Sequence, residues 1–204
     1  MTIVNGYCTV KELQRHIDAG GDASFAAGDY ANMEVAIEAA SRWIDAMTGA
    51  TFYAVTESRV YSPDWHDLLY IDDATAVTAV KTDDDGDGVY ETTWAASDYV
   101  LEPRGAGQRG RPYRQIRIAA NGDYAFPRAL RGGVEVTGSF GYAASPPAPV
   151  KMACLLVAHR LWRRKDAIFG VAGTPGLGVT VIQARITADS DVLALLQAVE
   201  VRVI

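Results

Sequence analysis

The chain has 204 residues, 49% hydrophobic and 22% charged, enough for one domain with a core or a core plus a smaller subdomain. Its formal net charge of −6 argues against a protein that coats nucleic acid, which is normally basic, but not against a surface past which DNA slides without sticking. The start MTIVNGYCTV has no basic region followed by a long apolar run, and the longest apolar run, Met152 to Ala158, is too short for a bilayer. The expectation is a chain made and assembled in the cytoplasm, with no membrane partner.

In chain order, YCTVKELQRHIDAGG predicts a helix. Thr9 and Glu12 have capping-box spacing, and Gly20 and Gly21 are placed to stop it. GDYANMEVAIEAASRWIDAMTGATF predicts a second, stronger helix. Val35, Ile37, Ala40, Ile44 and Met47 line its expected apolar side, Glu38 and Arg42 form an i,i+4 pair, and Gly49 is the expected C-terminal cap.

From Phe52 to Tyr142 the chain turns rich in Val, Thr, Tyr and Ile. AVTESRVYSPD, DLLYID, TAVTAVKT, GVYETTW, DYVLEP, YRQIRIA and GVEVTGSFGYA each read as a short strand. Short turns and missing crossover helices suggest an antiparallel sheet or small barrel. ASPPAPV ends the region, with Pro149 placed to start a helix. In VKMACLLVAHRLWRRKD, Met152, Leu155, Leu156, His159 and Trp162 share a face. Ala153, Val157, Ala158 and Leu161 widen it nearly all round, as in a helix buried in a core or against a neighbouring subunit. GVAGTPGLGVTVIQARI reads as a glycine-rich loop entering a β-like segment. A last helix starts at Asp189 or Ser190, with Val192, Leu195, Leu196 and Val199 as its stripe. The expected fold class is α+β: a helical bundle from both ends of the chain, residues 1–52 and 144–204, with an antiparallel β subdomain, residues 53–143, inserted between.

The chemical signals are sparse. Asp83, Asp85, Asp87 and Gly88 match the opening of a calcium loop, but position 12 falls on Trp94, which cannot bind calcium, and the flanks are strand-like rather than helical. A hairpin turn is the plainer reading, with weak cation binding by Asp83, Asp85, Asp87 and Glu91 as the alternative; repelling carboxylates are expected to sit in water. His16, His66 and His159 each stand alone in sequence, and Cys8 and Cys154 lie near opposite ends, with Cys154 reading as a small core residue. GTPGLGVT lacks the Gly-Lys-Ser/Thr ending of a phosphate loop, and no nucleophile has a placed base. Neither an enzyme nor a cofactor is expected. Arg104, Arg109, Arg111 and Arg114 form a basic glycine-rich stretch, which is either a solvated loop or one that touches phosphate or an acidic partner. Arg160, Trp162, Arg163 and Arg164 end a helix, where cations are favoured by its dipole and an Arg beside Trp also suits a subunit contact.

Several pieces together resemble the head–tail connector, or adaptor, proteins of long-tailed bacteriophages and their gene-transfer-agent relatives. VAIEAASRWIDAMTGATF is similar to that family's I-x-x-A-S-x-x-I-[DE]-x-x-T-G-x-x-F helix, through Ile37, Ala40, Ser41, Ile44, Asp45, Thr48, Gly49 and Phe52. PVKMACLLVAHRLWRRKD is similar to its long third helix, DVLALLQAV to its last helix, and DDDGDGVYETTWAASDYVLEP to the β insertion of longer members. A Tyr-Arg pair often follows the last helix there; VEVRVI stands here instead. The resemblance implies a structural ring of twelve subunits at the virion neck, assembled in the bacterial host cytoplasm. Its partners would be the portal protein, a downstream stopper or neck protein, and passing DNA read without sequence specificity. Arg160, Trp162, Arg163 and Arg164, with Val201 and Val203 of the tail, are the residues expected at subunit or partner contacts. The alternative function is a calcium-dependent binding module built on the Asp83–Glu91 loop.

Overall fold

The computed structural model describes residues 3, 5–18, 20–21, 24–128, 130–164 and 190–199. The fold is α+β, and an antiparallel sheet dominates it. The chain divides into two compact units: Met1–Gly49 with Pro146–Ile204, and Ala50–Ser145.

The first unit holds four helices among the described residues: α1 (Val10–Ile17), α2 (Ala27–Thr48), α3 (Ala148–Arg163) and α4 (Ser190–Gln197). The capping box of α1 forms: Glu12 N–H donates to Thr9 Oγ1 at 3.2 Å and Thr9 N–H donates to Glu12 Oε2 at 2.8 Å. The helix stops at Ile17, short of the glycines. Gly49 caps α2 in the left-handed conformation (φ 65°), donating to Asp45 O at 2.8 Å. Pro149 lies in the first turn of α3, where its missing N–H costs nothing.

Two predicted helix faces need correction. On α2 the buried residues are Met33, Ala36, Ile37, Ala40, Ser41 and Ile44, at i, i+3, i+4 spacing, whereas Val35 and Met47 are exposed. Val35 is two positions from both Met33 and Ile37, which puts it across the helix from them. On α3, which packs against α1, α2 and α4, the buried face is Val150, Ala153, Cys154, Leu155, Val157 and Ala158. Met152 is exposed, and Leu156, His159 and Trp162 are only half-buried. The small residues read as widening the face are its centre, because they let neighbouring helices approach closely. In α4, Val192 and Leu196 are buried, as is Val199 just beyond it, while Leu195 is half-buried. The β-like segment expected before α4 lies outside the described residues. Among the described residues no helix is long and apolar enough to cross a membrane.

The second unit is one sheet with strand order β1-β6-β2-β5-β4, with β3 paired to the end of β2. The strands are β1 (Val55–Tyr61), β2 (Leu68–Thr82), β3 (Thr92–Thr93), β4 (Tyr99–Glu102), β5 (Tyr113–Ile118) and β6 (Val134–Phe140), all paired antiparallel. The two strands expected from DLLYID and TAVTAVKT are one, β2. Asp72 and Asp73 do not make a turn because their carboxylates are answered by side chains. Arg59 Nη1 and Tyr61 Oη donate to Asp72 at 2.9 and 3.0 Å, and Arg114 Nε donates to Asp73 at 2.7 Å. Register shifts around Ala74 bend the strand, so its first part pairs with β5 and its second with β6. The strand expected in GVYETTW shrinks to Thr92–Thr93. On β6, Val134, Val136, Gly138 and Phe140 alternate inward, joining Leu69, Ile71, Val80, Trp94, Ile116 and Phe126 in the core.

Candidate functional site

The acidic loop runs from Asp83 to Glu91 between β2 and β3, whose pairing is Lys81↔Thr93 and Thr82↔Thr92. It is the connection of a hairpin, but a wide one that its own carboxylates organise. Asp83 Oδ1 accepts from Gly86 N–H at 2.6 Å and Oδ2 from Gly88 N–H at 2.9 Å. Asp85 accepts from Asp87 N–H at 3.2 Å, and Asp87 from Val89 N–H at 2.7 Å. Asp84 takes the hydroxyls of Thr82 and Thr92 at 3.0 and 2.6 Å. Gly86 and Gly88 both have φ near +90° (86° and 89°), which their lack of a Cβ permits. The expectation that all the acids sit in water holds for Asp84, Asp85, Asp87 and Glu91 but not for Asp83, which is 5% exposed. Backbone N–H groups, rather than water, satisfy it.

Burial works to raise the Asp83 carboxyl, but the amides of Gly86, Gly88, Asp85 and Asp87 outweigh it and hold its pKa below the ordinary value. A lowered carboxyl stabilises the fold above the unfolded value and loses that contribution as pH falls through the lower folded value. The gap in melting temperature between the native chain and Asp83→Asn is therefore expected to be flat from neutral pH to about pH 4 and to close below it. Melting curves across that range check this; a gap that closes well above pH 4 would contradict it.

The structure also gathers ligand atoms of Asp83, Asp85, Asp87 and Glu91 within 4.8 Å of one another. Two oxygens on one Ca²⁺, each about 2.4 Å away, can be no more than about 4.8 Å apart, so the four could share such an ion. Trp94 cannot complete an EF-hand: its ring is buried, stacked on Phe126 (centroids 4.6 Å) and Tyr124 (5.3 Å).

The basic stretch divides. Arg104, Arg109 and Arg111 are exposed on the connection between β4 and β5, which carries a single 3₁₀ turn at Gly107–Arg109. Arg114 belongs instead to β5, half-buried and paired with Asp73. It was expected on the loop because it follows Arg111 so closely, but Tyr113 already pairs with Ala74 of β2.

At the end of α3, Arg163 and Arg164 are exposed and Arg160 and Trp162 are half-buried. Arg163 Nε donates to His159 Nε2 at 3.3 Å, and Trp162 meets Phe25 edge-on with centroids 6.2 Å apart. Part of the Trp162 surface expected to face a partner is thus covered by Phe25 within the unit. Val201 and Val203 lie outside the described residues.

Two pairings could not be seen in sequence. His16 and His159 meet edge-on with ring centroids 5.4 Å apart; burial, then His16 and the nearby arginines, lower the His159 pKa. Cys8 and Cys154 are both buried, with sulfurs 3.5 Å apart. Ser41, one of the motif positions on α2, is buried, and its bonds are likewise not visible in sequence: it accepts Tyr7 N–H at 3.1 Å and donates to Ile37 O at 2.8 Å.

No family model matches the sequence. No curated protein matches it either. The fold, however, is found in solved structures along its whole length. A chain from the neck of an empty GTA particle, computed with C6 symmetry, is similar at TM-score 0.60 and 22% identity, covering 100% of this chain and 95% of that one. A chain from the virion of a native gene transfer agent particle is similar at TM-score 0.61 and 22% identity, with the same coverage. At that identity the likeness is one of fold.

Proposed function

We propose that this chain is a head–tail connector subunit, a structural rather than catalytic protein. It forms a ring between the portal and the downstream stopper or neck protein and extends the DNA channel at the virion neck. The observation that carries this reading is the end-to-end fold likeness to a chain of a GTA particle neck, with nearly all of both chains covered. A likeness confined to the sheet or the helices would have supported only a shared module. In this reading the helices are the connector core, built as a bundle from both chain ends, and the sheet is its insertion. A ring of twelve contains six-fold symmetry within it, so it is compatible with the symmetry used for that neck. Subunit contacts fall to Arg160, Trp162, Arg163, Arg164, Val201 and Val203. Arg104, Arg109 and Arg111 meet DNA phosphate or an acidic partner. The net charge of −6 suits a wall that DNA must slide past. Assembly is in the host cytoplasm.

Deleting the gene from a particle-producing strain tests this. The expected product is heads without attached tails, seen by electron microscopy; complete tailed particles at normal yield would contradict it.

A second reading, a calcium-dependent binding module, is favoured by one observation: the convergence of Asp83, Asp85, Asp87 and Glu91. Under that reading millimolar calcium gives heat in calorimetry and raises the melting temperature. No heat and no shift would remove it.

A further inference from the structure

Cys8 and Cys154 are 146 positions apart, yet their sulfurs lie 3.5 Å from each other at 4% and 0% exposure. Two small apolar side chains in a core often touch without consequence. Here, however, the contact is positioned. Cys8 stands on the non-helical segment ahead of α1, and that segment is tied down by polar bonds on both sides of the cysteine. Tyr7 N–H donates to Ser41 Oγ at 3.1 Å, Tyr7 Oη donates to the Asp45 carboxylate, and Arg42 Nη2 donates to Asn5 O at 3.1 Å. On the other side, Lys151 Nζ donates to Glu12 Oε1 at 2.8 Å, joining α1 to α3 one turn before Cys154. A disulfide has its sulfurs about 2.05 Å apart, so closure takes an approach of roughly 1.5 Å. The two thiols are also unequal. Their shared hydrogen bond holds Cys154 below the ordinary thiol range, against burial, while the same bond and burial push Cys8 up.

We propose that Cys8 and Cys154 form an oxidation site at which a small hydroperoxide makes a disulfide, stapling the segment ahead of α1 to α3. The Cys154 thiolate attacks the peroxide and breaks its O–O bond. Sulfur keeps one oxygen as a sulfenic acid, and the other leaves as hydroxide or alkoxide, which takes up the proton released by the Cys154 thiol to give water or, from an organic peroxide, the alcohol. The Cys8 thiol then attacks the sulfenic sulfur, forming the S–S bond, and its proton goes to the departing hydroxide, which leaves as water. With hydrogen peroxide, two thiols lose two electrons and two protons, and one peroxide becomes two waters. Resting on the neck-protein reading, the staple would form once a particle leaves the reducing cytoplasm, fixing the subunit after assembly is complete.

The test uses the purified full chain treated with hydrogen peroxide and mapped by trypsin without reduction. The expected result is peptide Met1–Lys11 joined to peptide Met152–Arg160, at the summed mass less two hydrogens, and separated again by dithiothreitol. The melting temperature should rise by about 5–10 °C, and the rise should be absent in Cys8→Ser. Thiols that stay open to alkylation after denaturation, or sulfinic acids without a cross-link, would overturn the inference on the native chain alone, whether or not the variant folds. Because the chain is isolated, that failure is separate from any failure to form a ring.

Discussion

Gly141→Ala is expected to destabilise the sheet unit by about 3–5 kcal/mol, the largest effect expected of a methyl added at any glycine among the described residues. Gly141 follows β6 directly and has φ 142°, a conformation that side chains rarely adopt. A Cβ there would sit on the carbonyl oxygen of Tyr53, with Tyr53 C at 2.8 Å and Ala54 Cα at 3.0 Å. Those are backbone atoms and cannot swing aside. The strand end is held on both sides: Gly141 N–H donates to Asp73 O at 2.6 Å and Tyr142 N–H to Thr51 O at 2.8 Å. Relief of the clash would therefore pull at both bonds. Gly88→Ala is the control. It shares the strain of a positive φ (89°) but has nothing within 4 Å of the new methyl, so about 1 kcal/mol is expected. Urea unfolding of both variants measures the difference; equal midpoints would mean that the contact with Tyr53 does not govern this position.

Trp94→Ala is expected to cost about 3–5 kcal/mol. The indole is 4% exposed, stacked in line with Phe126 and Tyr124. Its Nε1 donates to Thr82 Oγ1 at 3.4 Å and its backbone N–H to Val80 O at 2.9 Å. Losing the ring leaves a cavity that rigid strands can only partly close, and it unpins the end of β2 from which the acidic loop departs. Trp94→Phe keeps most of the packing and should cost clearly less. Thermal unfolding followed by far-UV circular dichroism separates the two; an alanine variant as stable as the phenylalanine one would place the ring outside the core.

The features legible in the sequence are those whose partners are close in the chain. Thr9 and Glu12 are three residues apart, Gly49 caps the turn that precedes it, and Pro149 opens the helix that contains it. Trp94 was readable for the same reason: counting from Asp83 is enough to show that no ligand stands at position 12. What could not be read depends on distant partners. Asp72 and Asp73 look like a turn until Arg59, Tyr61 and Arg114 arrive to pair them. Asp83 looks solvated until the loop's amides and Gly133 O enclose it; its N–H donates to that oxygen at 3.0 Å. The choice of face on α2 and α3 follows from which small residues meet other helices, and hydrophobicity does not rank Ala153 above Met152. Cys8 with Cys154 and His16 with His159 are contacts of tertiary structure alone.

We propose that copies of this chain assemble into a ring on a portal. Native mass spectrometry of the purified chain mixed with the portal protein of the same particle tests it most directly, because the portal supplies the template and the mass counts the subunits. One portal ring carrying a closed set of twelve copies is expected, formed even if the free chain is monomeric. Complexes of one copy of this chain with one portal subunit and nothing larger, or no complex at all, would contradict it.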